Sequence, residues 1–431
     1  MSKKRVQNRP SQRPLPEVEA FIRLIHSNLS TAEGSPQGGI WFSRTDEGSL
    51  FLDPAETKTY RALVAELIDK FVKGEDLSQR SVESYLQEAV FSSLDLRSKT
   101  KDPFDDRLLA ALSRLAQLLK APPEKWRCWV PIEGVKLDTP RAQFAGVSFV
   151  RFGPSQIQQV ILRRPRTPQA RGKSWRHLVE LVRKSQLWNG VCAVVEVEAR
   201  DATAANALAL RKIRRTIDAV NLFTDLVPYN HGWVYLPGDT AKGRMVVAVQ
   251  KDDGGFFPSF SNRDPLADVS WKSLRAATHI AAPFGSLSRL ARSTPANGKC
   301  GSLLLTAAEW AGRATVERQR EQSFLLFAIS LETMMLPVKE TQGLGHRLRL
   351  RVAHLLGRSI EARQRIAKDV SRLYAVRSKI VHAGSYEVTD ADLGRLRQIV
   401  KSCLFRLLAI RKLHAMKRED YSEWLDRQLL R

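Results

Sequence analysis

The residues of this sequence that are best suited to chemistry are Arg377 and His382, which lie five positions apart near the C-terminus. An α-helix turns about 100° per residue, so Arg377 falls about 40° from Leu373, inside an apolar stripe. An arginine on such a face must pair with an acid or face a cleft that an anion enters. A histidine titrates near neutral pH and can exchange a proton there. Together the two side chains could hold an anion and move a proton.

The two side chains do not share one face of a regular helix. A spacing of five positions turns His382 about 140° away from Arg377. The sequence therefore leaves three arrangements open. Arg377 reaches round the helix, the helix ends near Gly384, or a second copy of the helix approaches.

An acidic partner for Arg377 is available on an upstream helix. Glu332 is the one charged residue between Glu321 and Lys339, in a segment that is apolar on nearly every side. A lone carboxylate in a core helix needs a cation, and Arg377 is the candidate. A structural interpretation stays open beside the chemical one. The ion pair could only fix the helices, and His382 could only interact with the carbonyl end of its own helix.

These residues resemble a known family. The spacing Arg377-x4-His382 is similar to the R-x4-6-H motif of HEPN domains. The surrounding sequence LYAVRSKIVHAG, together with Leu331 and Glu332, resembles the ApeA-like branch of that superfamily. The resemblance covers about Leu303 to Leu413 and implies an antiparallel helical bundle that pairs two-fold. Many members are metal-independent ribonucleases, and members of this branch occur in phage-defence proteins.

The resemblance also implies a role for each site residue. His382 would take the 2′-hydroxyl proton of RNA, Arg377 would hold the strained phosphate, and Glu332 would orient Arg377. Further candidates for contact with RNA are Lys379, Ser378, Arg347 and Arg351. No metal or cofactor is expected, because the sequence has neither H-E-x-x-H nor a Cys/His cluster. The expected partners are RNA and a second copy of the bundle, with a phage-derived trigger.

Two other functions fit the same sequence. The chain could be a non-catalytic HEPN module that binds nucleic acid or a nucleotide. It could also be an interaction scaffold in which the bundle only dimerises the N-terminal part.

The composition favours an anionic partner. The 431 residues carry a net charge of +24, and 43 % of them are hydrophobic, so two or three domains with sizeable cores are expected. The positive charge is spread along the chain, which favours nucleic acid over a membrane, although it could serve solubility alone. The four cysteines are far apart and indicate buried thiols in a reducing cytoplasm. No apolar run approaches the roughly 20 residues of a membrane span.

The pattern along the chain predicts an α+β protein, with a mixed α/β N-terminal region followed by an all-α antiparallel bundle. The expected segments are a disordered basic arm (1–16), a helical region (17–120), a mixed region that senses a trigger or binds RNA (121–285), the HEPN-like bundle (301–416) and a C-terminal tail (417–431).

Several element boundaries carry clear signals. Asp53-Pro54 predicts a helix start, and Thr389 predicts the cap of the last bundle helix. The alternation from Phe144 to Phe152 predicts one strand, and the residues from Ser286 to Gly301 predict a loop between domains. A single long helix is expected from Leu303 to Leu336. The motif helix is expected over Glu361–His382, after a helix over Leu344–Leu356 that exposes Arg347, Arg349 and Arg351.

Overall fold

The computed structural model of the chain describes most residues from Ile40 onward. The described ranges are 40–44, 48–52, 54–71, 77–93, 106–153, 190–227, 233–236, 247–250, 256–257, 268–293, 298–317, 319–338, 343–383 and 387–430. The predicted basic arm (1–16) lies outside these ranges.

The fold is a mixture of helices and strands, as expected for an α+β protein. The strands are β1 (Ile40–Arg44), β2 (Gly48–Leu52), β3 (Glu124–Ile132), β4 (Val135–Lys136), β5 (Arg141–Phe144), β6 (Val147–Phe152), β7 (Gly190–Ala199), β8 (Val247–Gln250), β9 (Phe256–Phe257) and β10 (Val269–Ser270). The helices are α1 (Pro54–Phe71), α2 (Gln79–Ser93), α3 (Asp106–Lys120), α4 (Ala202–Asn221), α5 (Trp271–Ala276), α6 (Thr278–Arg292), α7 (Cys300–Val316), α8 (Arg320–Met335), α9 (Leu344–Leu356), α10 (Ile360–Ala383), α11 (Asp390–Ala409) and α12 (Arg418–Arg427).

The chain divides into two compact units, the first of which comprises residues 1–126 and 197–208. Within it β1 pairs with β2 in an antiparallel hairpin, and α1 begins at Pro54, as predicted. Asp201 joins two segments of this unit, because its Oδ2 accepts the N–H of Ser78 at 2.8 Å and its Oδ1 accepts the N–H of Ala204 at 2.9 Å.

The second unit comprises residues 127–196 and 209–431, and so holds most of a six-stranded sheet together with the C-terminal helices. The strand order is β5-β6-β7-β3-β8-β9, with antiparallel pairing of β5 with β6, β6 with β7 and β8 with β9. The sequence predicted one strand over Phe144–Phe152, and this was wrong. Ala145 and Gly146 have φ values of 54° and 80° and form the turn between β5 and β6. Positive φ at both central residues is what a tight type I′ hairpin turn requires.

The expected long helix from Leu303 to Leu336 is two helices, α7 and α8. Glu317 and Gln319 have extended backbone conformations between them, and the N–H of Gln319 donates to Glu317 Oε1 at 3.0 Å. The helices run antiparallel, because Ser323 and Ser330 of α8 donate to carbonyls progressively closer to the start of α7. Their acceptors are Ala314 O at 2.6 Å and Ala307 O at 2.7 Å.

The predicted interdomain loop from Ser286 to Gly301 begins and ends within helices, and residues 294–297 of it lie outside the described ranges. α6 continues to Arg292 despite Pro283 in its second turn, and α7 begins at Cys300. The helix is sustained by burial, because Ile280, Phe284, Leu287 and Leu290 form one buried face.

Aromatic side chains make the sheet and the bundle one continuous core within the second unit. Phe284 of α6 lies with its ring centroid 4.3 Å from that of Phe144 and 5.2 Å from that of Phe223. Phe223 in turn stacks on Phe405 of α11 at 5.4 Å. Lys401 of α11 is buried and donates to Leu222 O at 2.6 Å and to the carboxylate of Asp225.

The expected C-terminal tail (417–431) contains a packed helix. α12 buries Tyr421 and Leu425, and Tyr421 Oη donates to Met334 O at 3.0 Å. The sequence of a ten-residue helix alone does not show that its apolar residues belong to a core. Here the contact with α8 buries them.

Candidate catalytic site on the arginine and histidine helix

Arg377 lies on the buried side of α10. Val370, Leu373, Val376 and Ile380 on this side are each at most 9 % exposed, and the Arg377 side chain among them is 28 % exposed. Arg377 therefore lies on the apolar side of its helix, as the sequence predicted. Its guanidinium is held at the edge of the core, where part of it still meets solvent.

Glu332 of α8 is the partner of Arg377, as the sequence predicted. Arg377 Nε lies 3.1 Å from Glu332 Oε1, and Nη2 donates to Oε2 at 3.4 Å. The first contact is an ion pair without hydrogen-bond geometry, since Oε1 is buried and accepts no hydrogen bond from a described residue. Burial raises the pKa of Glu332, and the charge of Arg377 opposes that rise.

A small cavity adjoins the ion pair. It has a volume of about 20 Å³ and is lined by Glu332, Arg377, Tyr374 and aliphatic side chains of α8, α9, α10 and α11. A volume of this size accommodates about one water molecule. The cavity could therefore hold a water beside the unpaired Oε1, but it is too small for a nucleotide.

His382 is exposed in the last turn of α10 and has no hydrogen bond or ion pair with another described residue. Its imidazole is thus accessible to a ligand. The regular helix directs it to a different side from Arg377, so one chain does not bring the two into a single cluster. Val381 beside it is 50 % exposed.

The four residues predicted to contact RNA differ in their exposure to solvent. Lys379 and Arg347 are exposed, and Ser378 is half-buried on the motif helix. Arg351 was predicted to be exposed, and this was wrong, since it is 1 % exposed. Its guanidinium is saturated by protein acceptors, which are Asp426 at 2.8 and 3.0 Å, Met335 O at 2.6 Å and Ser422 Oγ at 3.0 Å.

The burial of Arg351 has a clear physical reason. It lies on the side of α9 that faces α12, a helix in the segment predicted to be a tail. Arg351 therefore joins α9 to α12 and is not available to RNA.

Other chemistries find less support among the described residues. No group of three His, Cys, Asp or Glu side chains that could hold a metal ion occurs in the described part of the chain. All four cysteines are reduced and buried, and burial raises the pKa of Cys128 and Cys300 to about 12, so these thiols are poor nucleophiles. Across the described ranges, no helix has the length and apolarity needed to cross a membrane.

One group of charged residues was missed at the level of sequence. Arg141, Arg275, Arg289 and Arg292 line a single cavity between β5, α5 and α6. Arg289 and Arg292 share α6, whereas Arg275 lies on α5 and Arg141 is more than 130 residues away on β5, so no spacing pattern could have connected all four.

We compared the chain with known protein families, curated proteins and solved structures. No family model, curated protein or solved structure matches the chain.

Proposed function

We propose that this chain is a metal-independent endoribonuclease of the HEPN type that acts as a homodimer. The observation that carries the proposal is the end of α10. There a partly exposed, ion-paired arginine and an accessible histidine occupy the two positions of the R-x4-H spacing. A cytoplasmic role in defence against phage, with a phage-derived trigger, follows from the family resemblance and belongs to the same proposal.

The reaction uses the ribose 2′-hydroxyl as the nucleophile. His382 accepts its proton, the 2′-oxygen attacks the adjacent phosphorus, and the bond from phosphorus to the 5′-oxygen breaks. The departing 5′-oxygen takes up a proton, which leaves a 2′,3′-cyclic phosphate and a 5′-hydroxyl end. Arg377 holds the phosphate oxygens while negative charge develops on them. The need for a 2′-hydroxyl restricts the substrate to RNA.

Two copies of the chain are needed in this mechanism. Arg377 and His382 of one helix point in different directions, so a second α10 across a two-fold axis supplies the missing group. Val381, half exposed beside His382, offers the partner an apolar contact.

Glu332 has a positioning role in this proposal. Its carboxylate fixes the direction of the Arg377 guanidinium, which limits the loss of side-chain entropy when a phosphate binds. Lys379, Ser378 and Arg347 are further candidate RNA contacts on α10 and α9.

A second candidate function is a non-catalytic module that binds nucleic acid or a nucleotide. One observation favours it, because the guanidinium of Arg377 is already engaged by Glu332. Both candidates predict RNA binding, and only the first predicts new RNA ends.

The deciding experiment incubates the purified full chain with RNA in excess EDTA. We expect cleavage products with 2′,3′-cyclic phosphate and 5′-hydroxyl ends. His382→Ala and Arg377→Lys should abolish them with unchanged unfolding temperatures. His346→Ala, which removes another exposed histidine in the bundle, is the matched control and should cut normally. Equal cleavage by wild type and both site variants would refute the proposal, and absence of cleavage by wild type with intact RNA binding would favour the second candidate.

A further inference from the structure

A second cavity of the second unit lies far from α10 in sequence and is strongly basic. It has a volume of about 670 Å³, between the edge strand β5 on one side and α5 and α6 on the other. Four arginines line it, namely Arg141, Arg275, Arg289 and Arg292. We call it the arginine groove.

The positive charge of the arginine groove is not balanced by its own lining. None of the described residues that line it is an aspartate or a glutamate. Arg141 donates to Ser148 Oγ at 2.7 Å and Arg289 to Ser286 Oγ at 3.0 Å, and both acceptors are neutral hydroxyls. Arg275 has no hydrogen bond or ion pair with a described residue. Several guanidinium groups that line one cavity, with no acid among its described lining residues, create a positive potential that attracts an anion.

The groove has a firm floor. Phe284 lies under it at 8 % exposure and packs against the Phe144 ring of β5, while Ser288 Oγ accepts the N–H of Ala145 at 3.0 Å. These contacts join α6 to the sheet and fix the walls relative to each other. The Phe284 ring is too buried for a base to stack on it, so the groove presents charge and not an aromatic surface.

A missing side chain keeps the groove open. Gly285 lies in the middle of α6, where a Cβ atom would meet only Arg289 Nη1, at 3.5 Å. Glycine in a helix interior costs stability relative to alanine, and no backbone contact requires it here. Among the described residues, the groove is therefore open above Gly285.

We propose that the arginine groove binds the phosphate backbone of an RNA strand. A guanidinium fork matches two phosphate oxygens, and several such forks around one cavity suit several phosphates. Because the described lining residues offer no exposed aromatic ring, the groove contacts the phosphate backbone and its binding is independent of base sequence. A free polyphosphate shares this chemistry, and the choice of an RNA strand rests on the proposed function. The site is separate from Arg377 and His382 and does not depend on cleavage.

The test measures binding of a labelled, mixed-sequence single-stranded RNA by fluorescence anisotropy, with every protein carrying His382→Ala. We expect Arg275→Gln with Arg292→Gln to weaken binding about tenfold or more. The slope of log affinity against log salt should fall by about 0.7 for each phosphate that the variant no longer neutralises. Arg358→Gln with Arg427→Gln removes the same charge from exposed positions elsewhere and should change affinity less than twofold.

A second variant tests whether RNA needs the open volume of the arginine groove, and it leaves the charge of the groove unchanged. Gly285→Leu fills the groove and should also weaken RNA binding about tenfold, while Gly394→Leu, at a helical glycine with no atom near its Cβ position, should not. Inorganic tripolyphosphate is the competitor in the last arm. The assignment to an RNA strand is supported if tripolyphosphate displaces the RNA only when its ionic strength equals that at which simple salt displaces it. Stoichiometric displacement at micromolar tripolyphosphate would overturn the RNA assignment in favour of a free polyphosphate, and wild-type affinity of the Arg275/Arg292 and Gly285 variants would overturn the groove itself.

Discussion

At the scale of single residues, the ion pair between Arg377 and Glu332 shows how a charged side chain is kept at the edge of a core. Glu332 is 24 % exposed, and burial raises its pKa while Arg377 works against that rise. A pair in this position loses less hydration than a deep one and keeps the arginine within reach of solvent. This balance suits a group that must be both fixed and accessible.

Arg377→Ala should therefore destabilise the protein in a pH-dependent way. At pH 8 the unpaired Glu332 carboxylate should reduce the free energy of unfolding by about 1–3 kcal/mol. Without Arg377 the pKa of Glu332 rises further above its unfolded value, so the folded state binds more protons as the pH falls. Stability relative to wild type should then recover between pH 8 and pH 5. Urea unfolding at both pH values measures this.

A double variant provides the control for that prediction. Arg377→Ala combined with Glu332→Gln removes the carboxylate that loses its partner, so its stability relative to wild type should not recover between pH 8 and pH 5. A loss from Arg377→Ala alone that does not depend on pH would contradict the physical account of the pair.

The sequence could predict part of this site. The helical phase of Arg377 and the isolation of Glu332 in an apolar helix were sufficient to pair them, since both follow from periodicity. The sequence reading placed Arg351 on the exposed side of α9, because it could not show that α12 would cover that side. The arginine groove was out of reach, because β5, α5 and α6 meet only through tertiary packing.

At the scale of elements, local sequence signals predicted where helices begin better than they predicted interruptions within a helical segment. Thr389 caps α11 by accepting the N–H of Asp392 at 3.1 Å, as its sequence position indicates. The break between α7 and α8 has no glycine or proline, so no local residue announced it. The opposite error occurred at the predicted loop from Ser286, because burial of one face sustains α6 to Arg292 despite Pro283, a residue type that normally disfavours helix.

The crossing of α7 and α4 depends on one glycine. A Cβ at Gly312 would lie 1.7 Å from Asp218 O, a backbone atom that cannot move aside alone. Beside it, Arg313 Nε donates to Asp218 Oδ2 at 2.8 Å. Gly312→Ala should separate the helices and strain this ion pair, with a loss of about 1–3 kcal/mol in the free energy of unfolding.

Gly394 supplies the matched control for Gly312. It is also a helical glycine, and nothing lies within 4 Å of its Cβ position. Gly394→Ala should stabilise the protein by about 0.5–1 kcal/mol through helix propensity alone. Thermal or urea unfolding of the two variants compares them directly, and a neutral Gly312→Ala would show that the helices do not cross this closely.

At the scale of the whole chain, the C-terminal segment is part of the core of the second unit. A chain that ends at Met416 loses the buried side chains of Tyr421 and Leu425, together with the ion pair between Asp426 and Arg351. Loss of a large buried apolar side chain costs about 2–5 kcal/mol. We expect this truncation to lower the urea midpoint strongly. Arg351→Met should cost less stability in the truncated chain, where Asp426 is already absent, than in the full chain.

The catalytic proposal makes its sharpest prediction at the scale of the dimer. If each active site takes Arg377 from one subunit and His382 from the other, Arg377→Lys and His382→Ala homodimers each lack one group at both sites. When the two variants are unfolded together and refolded as an equal mixture, about half of the dimers are mixed, and each mixed dimer has one intact site. Activity should then return to about a quarter of the wild-type rate, measured as RNA cleavage in EDTA. Co-refolding each variant with itself is the control and should give none. A mixture that stays inactive although mixed dimers are present would mean that both groups come from one chain, which the opposite directions of the two side chains on α10 argue against.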